Sequence, residues 1–178
     1  MKHVLPILAA LSIAAGAHAQ PRPGSFYGRP VNRDGVHFQV GFGPGADTSG
    51  AGLFHVMEFG ATFGGGITVG ILHTFIQNRG FHNPQGGAHL IGGWMLELAG
   101  PLVIPELTVK VAFGLGGEHD QSNDTIRPIG GIGWAYGIDY TFPIDPRHGP
   151  TIGLLAFHTV AEGRHNFGMG LMLGWPVF

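Results

Sequence analysis

The residues from Leu107 to Gly116, LTVKVAFGLG, alternate without a break. Leu107, Val109, Val111, Phe113 and Leu115 fall on one phase, and Thr108, Lys110, Ala112, Gly114 and Gly116 on the other. A two-residue period marks a β-strand, whose successive side chains leave opposite faces of the backbone. One face is large and apolar. The other is small or polar and carries one charge.

The same pattern recurs toward the C-terminus. EHDQSND (118–124) reads as a turn, after which Ile132, Trp134, Tyr136, Ile138, Tyr140 and Phe142 oppose Gly131, Gly133, Ala135, Gly137, Asp139 and Thr141. PIDPRHGP (143–150) breaks the chain again. The run from Thr151 to Val160 is apolar on both phases, which leaves its inward face open. AEGRHN (161–166) then leads to Phe167, Met169, Leu171, Leu173 and Trp175, set against Gly168, Gly170, Met172 and Gly174.

Toward the N-terminus, GPLVIP (100–105) ends a strand with Leu90, Trp94, Leu96 and Leu98 opposite His89, Gly93, Met95 and Glu97. Beyond NRGFHNPQGG (78–87), Ile67, Val69, Ile71 and Phe75 oppose Thr68, Gly70, Leu72 and Thr74. Gly64 to Gly66 make a tight turn. Before it, Leu53, His55, Met57, Phe59, Ala61 and Phe63 share a phase against Phe54, Val56, Glu58, Gly60 and Thr62. PGADTSGAG (44–52) reads as the first turn, preceded by Val36, Phe38, Val40 and Phe42 against His37, Gln39, Gly41 and Gly43. The reading is all-β: about eight antiparallel strands joined by short connections.

Composition narrows the setting. Of 178 residues, 11% are charged and 33 are glycine, against roughly 25% charged and about 7% glycine in soluble domains. Mean hydropathy is positive at +0.21, yet no stretch after residue 19 approaches the ~18 apolar residues of a membrane helix. Strands are the remaining way to carry that apolar surface. The net charge of −2 offers no footprint for nucleic acid. With no cysteine in the chain, disulfides, thiol catalysis and Cys-ligated metals are excluded.

The first nineteen residues are expected to be an export signal. Lys2 supplies the positive start, Val4 to Ala15 the short apolar run, and Ala17-His18-Ala19 the small-x-small cleavage site. Residues 20–35 form a polar, proline-bearing lead-in with Arg22, Arg29 and Arg33, and residues 36–178 form the barrel. A soluble barrel with the apolar phase inward is the competing architecture. Its exterior would be glycine, alanine and threonine with about one charge per strand, a poorly solvated surface. The opposite phasing fits an eight-stranded membrane barrel, whose narrow interior takes small or polar side chains while large ones face lipid.

Over Val36 to Phe178 the chain resembles the small outer-membrane barrels of the OmpA/OmpX type. The most specific piece is GMGLMLGWPVF (168–178), similar to the C-terminal assembly signal of such barrels, with Leu173 and Trp175 on alternate positions and a terminal Phe178. Pro176 departs from that pattern because it interrupts the ladder before the last residue. The resemblance implies a bacterial outer-membrane location and a periplasmic N-terminus. It also implies outer-membrane lipid and lipopolysaccharide as surroundings, and the assembly machinery as a partner of the last strand. Phe38, Phe63, Tyr140, Phe142 and Trp175 then fall at the periplasmic ends, where an interfacial aromatic girdle belongs.

Glu58, Glu97, Lys110, Arg127 and Asp139 all lie on the phase assigned to the lumen. Pairing of the two bases with the three acids is the expectation, giving a network that closes the lumen, with a gated narrow pore as the alternative. Eleven histidines suggest a rim able to bind Zn²⁺ or Cu²⁺ near Glu118, Asp120 and Glu162, but no recognised ligand spacing supports a metal site. A lipid A deacylase of this superfamily would carry His-x-Ser-Asn on the penultimate strand. Here His158 is followed by Thr159, Val160 and Ala161, so no catalytic set is assigned.

Leu72, Ile91, Met95, Ile129 and Met172 make the interior partly apolar. They fit either a filled core or a site for an acyl chain, and the latter would gain if Ile152, Leu154 and Ala156 faced inward. The expected role is structural or surface-interacting in a monomeric, cofactor-free and non-enzymatic barrel. A pore or hydrophobic-ligand barrel is the second reading. The lead-in is a candidate contact for a periplasmic or envelope protein.

Overall fold

The computed structural model describes residues 35–63, 66–79, 89–122, 125–142, 144 and 149–177. The expected export signal, nearly all of the lead-in and Phe178 lie outside them. Eight strands follow one another: β1 (Gly35–Asp47), β2 (Gly50–Phe63), β3 (Ile67–Arg79), β4 (His89–Pro101), β5 (Leu107–Ser122), β6 (Thr125–Thr141), β7 (Thr151–Ala161) and β8 (Arg164–Val177). Each pairs antiparallel with its sequence neighbour, and β8 returns to β1, Trp175 opposite Val40, to close the barrel. Closure leaves no unpaired strand edge, the condition for a sheet in hydrocarbon.

The wall sorts side chains as the alternation predicts. Leu115 is 73% exposed, Leu96 71% and Leu173 66%, while Glu58 and Glu97 on the opposite phase are each 3% exposed. The soluble alternative is thereby reversed: large apolar side chains cover the outside. The open phase of β7 resolves with Thr151, Gly153, Leu155, Phe157, Thr159 and Ala161 inward. Ile152 and Leu154 face outward, opposite to the arrangement that would have made room for an acyl chain.

Several expected turns are largely strand. The β1–β2 ladder runs on to Asp47 opposite Gly50, so only Thr48 and Ser49 of PGADTSGAG bridge it. Asp47 Oδ1 closes that hairpin, accepting from Ser49 N at 2.7 Å and Gly50 N at 3.0 Å. From β3, Asn78 Nδ2 donates to the same carboxylate at 2.6 Å. EHDQSND is likewise mostly ladder, which reaches Ser122 opposite Thr125. At the β7–β8 hairpin, Ala161 opposes Arg164. Glu162 and Gly163 between them adopt φ of 49° and 74°, the pair of positive values that a two-residue hairpin matched to strand twist requires. Polar, glycine-rich segments read as loops from composition; a register already fixed by neighbouring strands carries their backbones on as ladder.

The lumen has two layers. Toward the end bearing the β1–β2, β5–β6 and β7–β8 hairpins it is apolar, built from Phe54, Val56, Leu72, Ile76, Ile91 and Phe157 with Met95 and Met172. Phe54 and Phe157 lie nearly parallel, centroids 6.5 Å apart. Glycine on the facing wall makes this possible: a Cβ at Gly170 would come within 2.2 Å of Phe54 Cγ, and one at Gly168 within 2.6 Å of Phe157 Cζ. Toward the end where the chain enters and leaves, the lumen turns polar.

Candidate functional site

Four of the five charges assigned to the lumen meet in that polar layer. Lys110 rises from β5, Asp139 from the adjoining β6, Glu58 from β2 on the other side of the tube, and Glu97 from β4. Lys110 Nζ pairs with Asp139 Oδ2 at 2.5 Å and with Glu58 Oε1, all three side chains almost wholly buried. One ammonium therefore faces three carboxylates, and Glu97 Oε2 has no hydrogen-bond partner among the described residues. Buried charges of this kind are tolerated only when paired.

The cluster borders a cavity of about 30 Å³ that is also lined by His37, Gln39 and Thr68, room for roughly two waters. Thr62 and Thr68 share a hydrogen bond of 2.7 Å, and Thr141 and Thr151 one of 3.0 Å, so neighbouring strands are also tied by hydroxyls.

Arg127 is placed elsewhere. Its register partner is Asp120, close to the Ser122–Thr125 end of the β5–β6 hairpin, whereas Lys110 lies opposite Gly137 far down the same ladder. The side chains of Arg127 and Ile129 lie outside the described residues.

The histidines divide into separate groups. On the outer wall, His55 packs 4.6 Å from Phe42 and 4.7 Å from Phe75, and His73 stacks on Trp94 at 4.1 Å. On the β6–β8 side, His158 meets the edge of Trp134 at 4.3 Å, and its Nε2 lies 3.2 Å from His165 Nδ1. His37 is buried inside. Among the described residues no three or more His, Asp or Glu side chains gather as a metal-binding group. His82, His148 and the side chains of His89 and Asp120 lie outside them. His158 points outward while Thr159 is fully buried inward, so that hydroxyl and that imidazole stand on opposite sides of the wall.

Sequence reading passed over two features. Glu106, beside the expected GPLVIP turn, is fully buried; neither carboxylate oxygen has a hydrogen-bond partner among the described residues, and its backbone oxygen accepts from Thr141 N at 3.0 Å. Phe54 and Phe157 are the main lumen fillers, and the glycines of β8 facing them were the available signal. A hollow of about 340 Å³ also lies on the outer wall, where Phe75 opposes Gly92, Gly92 opposes Gly117, and Gly117 opposes Gly130.

No family model matches the chain, and no curated protein sequence does. Solved structures do match. Neisserial surface protein A aligns at TM-score 0.53 and 11% identity, covering 80% of this chain and 94% of that one. The N-terminal β-barrel domain of Pseudomonas aeruginosa OprF aligns at TM-score 0.52 and 11% identity, covering 81% and 98%. Ail of Yersinia pestis, solved with the heparin analogue sucrose octasulfate, aligns at 0.49 and 13% identity, covering 80% and 99%. The chain has the fold of the small eight-stranded outer-membrane β-barrels.

Proposed function

We propose that this protein is a bacterial outer-membrane barrel that works through its exterior and its cell-surface rim, with the lumen serving as an internal strut. The observation that carries this is the filled interior: an apolar layer of Phe54, Ile76, Ile91 and Phe157 stacked on the Lys110 ion cluster. A tube blocked twice, once by packed side chains and once by cross-lumen ion pairs, favours a structural or surface-interaction role over conduction or internal ligand binding. On this reading the barrel is monomeric and non-enzymatic, needs no cofactor, and sits among outer-membrane lipid and lipopolysaccharide. Its hairpins face the cell surface, and its last strand serves the assembly machinery. The test is mobility on cold gels with and without heating, paired with planar-bilayer conductance of the folded protein. A heat-dependent shift with no channel events is expected; discrete conductance overturns the closed lumen.

The hollow over Gly92, Gly117 and Gly130 favours a second reading, a groove for one acyl chain on the lipid-facing wall. Gly130→Leu is the substitution to fill it, because a Cβ there meets nothing within 4 Å. Loss of a co-purifying lipid in that variant would support the reading.

A further inference from the structure

We propose that His158 and His165 form a two-imidazole site for a divalent transition-metal ion, Cu²⁺ foremost, at the hairpin rim of the barrel. His158 Nε2 and His165 Nδ1 are 3.2 Å apart. Two imidazole nitrogens bound to one metal at about 2.0–2.1 Å, at angles of roughly 90–110°, lie about 2.9–3.4 Å apart. The pair therefore already holds the spacing of a chelate. Small ring rotations convert a shared hydrogen bond into two lone pairs aimed at one ion.

The scaffold is rigid where this matters. Val160 opposes His165 and His158 opposes Phe167, so the two imidazoles are diagonal neighbours on one face of the β7–β8 ladder. The register is set by the tight turn at Glu162 and Gly163. Trp134 backs His158 at 4.3 Å, and the two imidazole rings lie 32° from coplanar, centroids 5.3 Å apart. His165 is exposed just below the turn, which leaves the remaining coordination positions to water or to an outside ligand. Imidazole donors suit Cu²⁺, Ni²⁺ and Zn²⁺, and the general affinity order puts Cu²⁺ first.

Trp134 supplies the readout. In folded protein beginning at Gln20, the expected mature N-terminus, and carrying Trp94→Phe and Trp175→Phe, Trp134 is the sole tryptophan. Titration with Cu²⁺ alone is expected to quench it saturably at one ion per chain. Zn²⁺, which does not quench, should restore the emission only when added in large excess, as the affinity order requires. Electron paramagnetic resonance of the first equivalent should show two coupled imidazole nitrogens. His165→Ala should weaken the quench at least tenfold and remove one nitrogen, while the heat-dependent gel shift stays unchanged because the side chain is on the outer rim. A first equivalent whose affinity and nitrogen count survive His165→Ala and His158→Ala overturns the proposal, as does quenching that never saturates.

Discussion

Lys110 on β5 and Glu58 on β2 are joined across the lumen, from strands that share no ladder: β2 pairs with β1 and β3, and β5 with β4 and β6. The contact is a crossbar in the tube. Asp139 holds the same ammonium from the adjoining strand. Lys110→Met would leave Glu58, Glu97 and Asp139 buried without their cation. The expected cost is about 3–5 kcal/mol, the range for removing one partner of a buried pair. Adding Glu58→Gln, Glu97→Gln and Asp139→Asn should recover most of that loss, since a neutral cluster leaves no charge stranded. Urea unfolding of the folded barrel in lipid vesicles checks both; an unchanged midpoint for Lys110→Met would count against the crossbar.

The apolar layer predicts coupling between a large residue and a missing one. Gly170 has no room for a side chain because Phe54 occupies the space, a Cβ there reaching 2.2 Å from Phe54 Cγ. Gly170→Val should therefore destabilise the barrel. Phe54→Ala alone should cost about 3–5 kcal/mol through the cavity it leaves. The double variant should be less damaged than the sum of its parts, because the valine enters that cavity. Unfolding midpoints of the four proteins in one cycle give the coupling, and strict additivity would show that the two positions do not share space.

At the β7–β8 hairpin, Gly163 has φ of 74° and Glu162 φ of 49°. Gly163→Ala is expected to cost about 1–2 kcal/mol, since an L side chain resists the left-handed region. Glu162→Asn should do the reverse, because asparagine tolerates that region better than glutamate. Both substitutions leave the lumen untouched, so conductance stays as in the parent while refolding yield and unfolding midpoint move in opposite directions.

How far the sequence was legible follows the same geometry. Strands whose two phases differ in size, such as LTVKVAFGLG, declared their inward face but not their full length, since β5 runs on to Ser122, and that phase puts Lys110, Glu58 and Asp139 in the lumen. The strand Thr151–Ala161 did not, because Leu155 and Phe157 inside match Ile152 and Leu154 outside in character; only glycines on a neighbouring strand distinguish them. Turn composition misled at Pro44–Gly52, where most of the apparent loop is ladder. Arg127 shares its phase with the network, but phase says nothing about height along the barrel. Register alone sets it beside Asp120 at the far end. Glu106 was illegible because its burial arises from how a connection folds back, with Thr141 N donating to its backbone oxygen.

The apolar exterior yields the prediction on which the membrane setting turns. Phe113 is 61% exposed on the outer wall, opposite Leu96 on one side and Trp134 on the other. In water, Phe113→Arg would relieve an exposed aromatic and leave stability nearly unchanged or improved. In a bilayer the same change puts a guanidinium into hydrocarbon, at a cost of about 2–4 kcal/mol near the midplane and less toward the interfaces. Ala112→Ser next to it points into the lumen and should cost far less in either medium. Unfolding of both variants in lipid vesicles separates the cases: a large loss confined to Phe113→Arg places that face in lipid, whereas equal small effects would mean that the exterior meets water.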